Sequence, residues 1–183
     1  DFSQTKKLRN HIVKKKNIVS FFPGSTIGNY LPKDAKKLLK KFSQIIGKNS
    51  HLVVGVDLVK NKKILERAYN DREGITAKFN KNILKVINSK YGLNFNLSNF
   101  EHKAFYNVKK NRIEMHLSAK KNFSQVLNKK NIKFSKGETI HTENSHKYTK
   151  NKFSQLAQNS GFEVVKILSD KKNFFGVFLL KVK

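Results

Sequence analysis

The chain contains no cysteine, which excludes disulfide bridges, thiolate metal sites, iron–sulfur clusters and cysteine nucleophiles. It also lacks any apolar run close to the roughly 20 residues that a membrane-spanning helix requires. Residues 1–10 are too polar for a signal peptide. The only methionine is Met115, away from the start of the sequence, so we expect a fragment of a longer, cytoplasmic protein.

Acidic residues are scarce: 12 Asp and Glu stand against 39 Lys and Arg, which gives a formal net charge of +27. Such a charge favours nucleic-acid binding through phosphate contacts. However, only four of the basic residues are arginine, the residue of bidentate phosphate and base recognition, and the lysines are scattered along the chain. A solvated lysine-rich surface explains the charge better. A basic nucleic-acid-binding or interaction protein without catalysis remains the alternative function.

The first sixty residues alternate between helix and strand patterns. Thr5–Lys16 has the spacing of a short surface helix, and the apolar run Ile18–Phe22 predicts a buried strand. Lys33–Ile46 is amphipathic with helical spacing and ends at Gly47, and His51–Val56 predicts a second buried strand. This order is typical of a βαβ unit with a parallel sheet, in which ligands bind at the carboxyl ends of the strands.

The pattern changes after residue 60. Helices are predicted at Asn61–Asn70 and Thr76–Lys90. The second should turn four apolar side chains inward: Phe79, Ile83, Val86 and Ile87. Alternating hydrophobicity over Glu101–Ser118 predicts a hairpin with its turn at Lys109–Asn111.

The last third of the chain returns to α/β patterning. Ile132–Phe134 and Glu138–Ser145 could add strands, and Thr149–Ser160 predicts a helix. Phe162–Leu168 and Phe174–Val182 then predict an antiparallel pair at a sheet edge. We therefore predict an α/β fold formed by residues 1–60 and 148–183, with an α+β insertion over residues 61–147.

The loop from Pro23 to Asn29 follows the first predicted strand. Gly24 and Gly28 flank two hydroxyl side chains, so a ligand could approach the backbone closely, and Asn29 offers both a donor and an acceptor. Its spacing is neither that of a phosphate-binding loop nor that of a dinucleotide fingerprint. On spacing alone, an ordinary turn with Asn29 as a helix cap is the better interpretation.

Glu143 and Ser145 stand two residues apart in a polar strand, with Asn144 between them, so their side chains should point to the same face. They could hold a nitrogen heterocycle together, although a solvent-facing edge strand is at least as good an explanation. Core packing is the default role for Met115 and for Tyr69. The six histidines lack zinc-site spacing, and no pair of carboxylates suggests acid–base catalysis, so we assign no metal and no catalytic residue.

Five stretches, taken in order along the chain, carry a resemblance to one family: FFPGSTIGNY (21–30), VGVDLVKNKKILERAYND (54–71), GITAKFNKNIL (74–84), NRIEMHLSA (111–119) and GETIHTENSHKY (137–148). Together they resemble the histidine-specific, S-adenosylmethionine-dependent methyltransferases of ergothioneine biosynthesis, the L-histidine N-alpha-methyltransferases. The resemblance implies a partial Rossmann-like methyltransferase sheet with an inserted α+β substrate-binding domain. It also implies three methyl transfers to the α-amino nitrogen of histidine, giving hercynine.

The resemblance assigns roles to individual residues. It implies that Asn29 binds the amino and carboxylate groups of histidine and that Tyr69 binds the carboxylate. Glu143 and Ser145 would hold the imidazole nitrogens. Asn144 would line the same segment, and Met115 would form part of the wall against the ring.

The resemblance also implies contacts to S-adenosyl-L-methionine from Asp1, Phe2 and Gly24. The chain matches the family from its fourth strand onward, so the glycine-rich cofactor loop after the family's first strand is not in these 183 residues. The expected partners are therefore L-histidine and either the missing N-terminal half of the same protein or a complementary chain. We expect no specific nucleic acid and no membrane as partners.

Overall fold

A computed structural model describes residues 17–127 and 130–183. Its strands are β1 (Val19–Phe22), β2 (His51–Asp57), β3 (Phe100–Asn107), β4 (Arg112–Ala119), β5 (Phe123–Leu127), β6 (Lys130–Phe134), β7 (Thr139–His146), β8 (Phe162–Ser169) and β9 (Phe175–Val182). Its α-helices are α1 (Pro32–Ile46), α2 (Lys62–Tyr69), α3 (Ile75–Tyr91) and α4 (Lys150–Gln158). The surface helix predicted at Thr5–Lys16 lies outside the described residues.

The chain divides into two compact units. The first takes the described residues up to Lys60 together with Ser145–Lys183, and the second spans Asn61–Asn144. The domain assignment made above, a methyltransferase core around a substrate-binding insertion, stays a prediction. No α-helix within the described residues is both long and apolar enough to cross a membrane.

The first unit contains a four-stranded sheet in the order β1-β2-β9-β8. β1 and β2 are parallel, with Val19 opposite His51, which confirms the predicted βαβ arrangement. β8 and β9 are antiparallel, and β8 lies at an edge, as predicted. Side chains from the sheet, α1 and α4 form one buried core, and its largest fully buried members include Leu39, Phe153 and Phe178. The predicted α/β class is therefore confirmed.

β1 departs from the prediction of a buried strand. Val19 is 67% exposed and Phe21 is 72% exposed, whereas Phe22 is buried. The alternation follows from the pleat of a strand, whose successive side chains point to opposite faces. Within the described residues β1 lies at an edge of the sheet, and only one of its faces is covered.

The second unit contains a three-stranded sheet, β3-β4-β7, and a two-stranded hairpin, β5-β6. β3 and β4 form the predicted hairpin, with Phe100 opposite Ala119 and Asn107 opposite Arg112. The turn contains Asn111 at φ 48°, a left-handed conformation that asparagine tolerates well. β5 was not predicted, because Phe123–Leu127 is short and its apolar residues, Phe123, Val126 and Leu127, do not alternate with polar ones.

The inward face of α3 differs from the predicted one. Phe79, Ile83 and Val86 are exposed, whereas Asn80 and Leu84 are buried. The Asn80 amide accounts for the difference, because it donates to the His116 carbonyl at 3.1 Å and accepts from the Thr142 hydroxyl at 2.6 Å. A periodicity count that includes only apolar residues cannot find a helix face that contains a buried amide.

Asp71 holds the start of α3. Its carboxylate accepts hydrogen bonds from the backbone N–H of Ile75 at 2.7 Å and of Thr76 at 2.8 Å. Hydrogen bonds from Thr76 and Ile75 lower the pKa of Asp71 from 3.8 to about 2. The ionised carboxylate therefore stabilises the folded state above pH 3.8, and this contribution is lost as the pH falls through 2.

We predict that Asp71→Ala lowers the melting temperature at pH 7, because it leaves two N–H groups of the first helical turn without their acceptor. The control is Glu73→Ala, which removes the same charge from an exposed neighbour and should leave the melting temperature unchanged. Thermal unfolding at pH 7 and at pH 3 measures the effect, and the two variants should differ less at the lower pH. Equal melting temperatures at pH 7 would contradict the capping role.

A close backbone contact joins the loop after β1 to the end of β7. A Cβ atom at Gly28 would lie 2.7 Å from the His146 carbonyl oxygen and 3.3 Å from the His146 nitrogen. Gly28 itself is buried and does not have a positive φ, so its backbone conformation alone would permit alanine. The requirement for glycine at this position is steric.

We predict that Gly28→Ala destabilises the first unit by about 1–3 kcal/mol, the usual cost of overpacking a well-packed interior. Gly137→Ala provides the comparison, because Gly137 has φ +86° and open space around the position of a Cβ. That variant should cost only the left-handed backbone strain, about 1–2 kcal/mol. Chemical denaturation gives both values, and a Gly28→Ala variant as stable as the unchanged chain would rule out the clash.

Candidate functional site

The loop after β1 is a tight, partly left-handed turn. Gly24 has φ +73° and Ser25 has φ +56°, and a short 3₁₀ helix, Thr26–Asn29, follows. The Gly28 N–H donates to the Ser25 carbonyl at 2.8 Å, and Ile27 is fully buried. The loop is therefore fixed by its own backbone and by one anchoring side chain.

Asn29 ends the 3₁₀ helix and is exposed. It does not cap α1, because that helix begins at Pro32 and its N-cap residue is Leu31. The helix-cap interpretation of Asn29 is therefore wrong, and its amide needs another explanation. Gly24 is also exposed, with its backbone open to the surface, whereas the predicted cofactor contacts Asp1 and Phe2 lie outside the described residues.

A network of polar side chains occupies the carboxyl end of β2. The sequence predicts that ligands bind at the carboxyl ends of the parallel strands, but it does not identify the side chains of this network. The Asp57 N–H donates to the Ser25 hydroxyl at 2.8 Å. The Asp57 carboxylate accepts from the Lys60 ammonium through Oδ1 at 2.5 Å and from the Lys147 ammonium through Oδ2 at 2.6 Å. The Lys147 ammonium also donates to the Ser145 hydroxyl at 2.8 Å.

Lys147 has a side chain with no exposed surface, although it carries a charge. The backbone places it there: the Tyr148 N–H donates to the Asp57 carbonyl at 3.2 Å, and the Val59 N–H donates to the Tyr148 carbonyl at 3.0 Å. Ser145 and Lys147 are two residues apart and meet on the same side of the extended chain. No local pattern in the sequence signals Lys147, because its partner Asp57 lies ninety residues earlier.

Tyr69 and Met115 belong to one small hydrophobic cluster in the second unit. Met115 is 3% exposed and packs with Leu65, Tyr106 and Ile113, and Tyr69 lies partly buried against them. Core packing, which the sequence pattern predicts for Met115, accounts for its position in this cluster. Tyr69 is the last residue of α2, and its carbonyl contacts His102 Nε2 at 2.8 Å.

Glu143 and Asn144 lie half-buried near the end of β7. Within the residues that the structure describes, the side-chain oxygen of Asn144 is buried and has no hydrogen-bond partner. A buried acceptor without a donor costs about 1–3 kcal/mol, and a donor group on a ligand would recover part of this cost. The predicted imidazole-binding segment therefore contains an acceptor that the protein itself leaves unsatisfied.

A second polar group, Glu114 with His116 and His141, was missed from the sequence because its members come from two strands. Burial opposes ionisation of Glu114, but hydrogen bonds and charge from Arg112 outweigh it, so its pKa is lowered. Burial and the charge of His141 lower the pKa of His116. The two imidazole rings are stacked, with centroids 4.5 Å apart and planes 12° apart.

The ligating atoms of this group lie within 4.8 Å of one another. Two parallel, stacked rings direct their nitrogen lone pairs along parallel planes, however, so they do not converge on one ion. Arg112 also occupies Glu114 Oε1, with its Nε and Nη2 atoms each at 2.7 Å. We therefore assign an aromatic stack and an ion pair here rather than a metal centre.

A cavity of about 400 Å³ lies in the first unit beside the start of α4. It contains none of the predicted site residues, and its lining is Leu58, Val59, Tyr148, Thr149, Lys150, Asn151 and Asn173. Burial raises the pKa of Tyr148 to about 12, so its hydroxyl stays protonated at neutral pH. The Lys150 ammonium is held by the side chains of Ser169 and Asn173.

Comparison with known proteins supplies the family. The sequence profile of the family described as "Histidine-specific methyltransferase, SAM-dependent" matches residues 1–182. The histidine N-alpha-methyltransferase of Mycolicibacterium smegmatis is 35% identical over 161 residues, which cover 86% of this chain and 50% of that protein. The same enzyme of Mycobacterium tuberculosis is 33% identical over 160 residues, with equal coverage.

Ergothioneine biosynthesis protein 1 of Schizosaccharomyces pombe is 27% identical over 149 residues, or 81% of this chain and 19% of that protein. Among solved structures, an S-adenosylmethionine-dependent methyltransferase of Clostridium acetobutylicum aligns with a TM-score of 0.48 at 9% identity. That alignment covers 96% of this chain and 62% of the other.

The chain spans about half the length of the two mycobacterial relatives. The profile match, by contrast, extends over almost every residue of the chain, including both the loop after β1 and the end of β7. The chain therefore belongs to the histidine-specific, S-adenosylmethionine-dependent methyltransferase family.

Proposed function

We propose that this chain forms the histidine-binding part of an S-adenosylmethionine-dependent N-methyltransferase. Its reaction would be the stepwise methylation of the α-amino group of L-histidine to hercynine, as in ergothioneine biosynthesis. The observation that carries the proposal is the profile match over residues 1–182, since it includes every residue that the resemblance assigns to histidine. The predicted cytoplasmic location belongs to the same proposal.

The proposed histidine contacts use chemistry suited to each group of the substrate. Asn29 has an exposed amide that can donate to a carboxylate and accept from an amine. Tyr69 would donate its hydroxyl to the carboxylate. Methyl transfer depends mainly on holding the nucleophile in line with the methyl group, so these two residues act by positioning the amine.

The imidazole would be held at the end of β7. Glu143 would accept an N–H from the ring, Ser145 would contact the other nitrogen, and Asn144 and Met115 would line the site. Amino acids without a ring N–H would not form this hydrogen bond to the Glu143 carboxylate, and the loss of such a bond is how a polar site rejects apolar analogues.

S-adenosyl-L-methionine, when bound, supplies the methyl group from its sulfonium. Gly24 fits a backbone contact to this cofactor, because among the described residues a Cβ placed there would meet only Thr26 Oγ1, at 3.8 Å. Asp1 and Phe2 are its other proposed contacts. The amine of histidine must be unprotonated to react, and water can take its proton, so the proposal needs no catalytic base among the residues of this chain.

The proposed partner is a polypeptide equivalent to the part of the relatives that this chain does not span. Each unit presents apolar side chains that such a partner could cover. On β1, Val19 and Phe21 are mostly exposed, and on α3, Phe79 is 63% exposed. Val19 and Phe21 are two residues apart in one strand and point to the same face, and exposed apolar patches of this kind mark interaction sites more often than free surface.

We predict that the chain, mixed with the uncovered segment of the Mycolicibacterium smegmatis relative, binds L-histidine in a calorimetric titration with S-adenosylhomocysteine present. Glu143→Ala should weaken histidine binding about 10- to 100-fold, the effect of losing a hydrogen bond to a charged group. Binding of S-adenosylhomocysteine should not change.

Glu101→Ala is the matched control for this titration. It removes a carboxylate that is half exposed and pairs with Lys103 at the surface, at 3.1 Å. The affinity for L-histidine should be unchanged in this variant. If neither variant affects the histidine affinity, Glu143 does not hold the imidazole, and if the unchanged mixture binds no histidine, the proposed function fails.

We also predict that Phe21→Lys weakens association with the added segment by at least tenfold, because it places a charge where the partner would bury an aromatic ring. Lys33→Ala, a change on the exposed surface at the start of α1, serves as the control. Sedimentation velocity of the mixtures measures association. If both variants associate equally well with the added segment, the partner does not bind at this edge of the sheet.

A further inference from the structure

We propose that Asn80 and His102 are positioning residues, which hold the end of α2 at Tyr69 and the strand β7 in place for L-histidine. The inference rests on the proposed function, because it takes the contacts of Tyr69 and Glu143 with the substrate from it. It adds two residues to which the resemblance gives no role. All the residues that carry the inference belong to the second unit.

The Asn80 amide joins α3 to all three strands of the sheet in this unit. Asn80 is 3% exposed. Its nitrogen donates to His102 Nδ1 on β3 at 2.9 Å and to the His116 carbonyl on β4 at 3.1 Å. Its oxygen accepts from the Thr142 hydroxyl on β7 at 2.6 Å. Both N–H groups and one lone pair of the amide are therefore used, each on a different strand.

The His102 ring extends this network to α2. Its Nε2 atom lies 2.8 Å from the Tyr69 carbonyl oxygen. A carbonyl can only accept, so Nε2 carries the proton at this contact. Nδ1 is then the bare nitrogen, which accepts from the Asn80 amide. Both contacts of the ring thus require the same tautomer.

The end of α2 is fixed on β3 by two successive residues. Carbonyl groups in the last turn of a helix have no partner within the helix, and His102 supplies a donor to that of Tyr69. The following residue, Asn70, donates its amide to the Ala104 carbonyl at 2.9 Å and accepts from the Ala104 N–H at 3.3 Å. A shift of the Tyr69 backbone would therefore break hydrogen bonds to β3.

The same network holds β7 beside a second proposed substrate contact. Thr142 directly precedes Glu143, and its hydroxyl lies 2.6 Å from Asn80 Oδ1. The Met115 carbonyl, at 2.9 Å, is the alternative acceptor for the same hydroxyl proton. Tyr69, Met115 and Glu143 thus lie at or directly beside backbone groups and side chains that the network fixes.

Stability alone gives little reason for an amide at position 80. Leu84, one turn later on the same side of α3, is buried with an apolar side chain. A buried amide costs free energy unless its groups find partners, and an apolar residue would avoid that cost. A fully satisfied polar network, however, specifies one arrangement of the elements that it joins. What Asn80 adds is a fixed alignment of α2, α3 and the sheet.

Calorimetry in the mixture of this chain with the added segment tests the role of Asn80. Asn80→Ala should weaken L-histidine binding about tenfold, because the end of α2 and β7 lose their common partner, and leave S-adenosylhomocysteine binding unchanged. Asn88→Ala is the matched control on the same helix, since Asn88 donates to the Phe95 carbonyl at 2.9 Å and accepts from the Phe95 N–H at 2.8 Å. It should also lower the melting temperature but leave the histidine affinity unchanged. Equal histidine affinity of the two variants would overturn the proposal.

His102→Phe is the second variant, should Asn80→Ala fail to fold. It keeps a ring but cannot donate to the Tyr69 carbonyl, so histidine binding should again weaken about tenfold. His102→Gln should restore most of the affinity, because its side-chain amide can donate to that carbonyl. If His102→Gln binds histidine as weakly as His102→Phe, or if His102→Phe binds it as tightly as the unchanged chain, the proposal is wrong.

A double-mutant cycle separates positioning from a general structural effect. If His102 acts through Tyr69, then His102→Phe should cost no further histidine affinity in a Tyr69→Phe background. If His102 only supports the fold, the losses from the two changes should multiply. Multiplying losses would therefore refute the positioning role.

A measurement without substrate keeps this inference distinct from the proposed function. With isotope-labelled histidine in the chain, NMR under mildly alkaline conditions should find the His102 proton on Nε2. A proton on Nδ1 would overturn the positioning network whether or not L-histidine binds. Absence of histidine binding by the unchanged mixture would refute the proposed function and, with it, the contacts that the network is proposed to position.

Discussion

An ion pair between Asp57 and Lys147 marks the point at which distant segments of the first unit meet. Asp57 is the last residue of β2, and Lys147 directly follows β7, so the pair ties together two chain segments that are far apart in sequence. The backbone contacts of Tyr148 with Asp57 and Val59 run beside it. The loop after β1 joins the same point through Ser25 and through the close packing of Gly28 on His146. Three chain segments of the first unit thus meet around one charged contact.

Much of the fold can be predicted from the sequence, because its elements have strong periodic patterns. The parallel pair β1-β2, the hairpin β3-β4 and the antiparallel pair β8-β9 all follow from short apolar or alternating runs with clear turns. The errors occur where polar and apolar residues exchange their usual places. Asn80 is buried in α3 because it satisfies groups on neighbouring strands, while Phe79 faces outward. Neither helix propensity nor hydrophobic periodicity can predict that Asn80 is buried and Phe79 is exposed.

The candidate site is less predictable than the fold. Composition and spacing single out the loop after β1 and the Glu143–Ser145 segment, but on pattern alone an ordinary turn is the better interpretation of the first, and an edge strand explains the second at least as well. Only the order of five motifs along the chain gives them a common meaning, and the family match supports that order. Lys147 could not be found in this way, because a lysine gains significance only from the carboxylate it meets, and Asp57 is distant in sequence.

The strand order of the first unit also has a consequence for synthesis. β2 pairs with β9, with His51 opposite Lys181, so β2 has no partner on that side until β9 has been made. The second unit, Asn61–Asn144, is continuous in sequence and contains its own sheet and helices. Local contacts form faster than distant ones. The inserted unit can therefore fold before β9 has been made, whereas the sheet that surrounds it in sequence closes only once β9 is available.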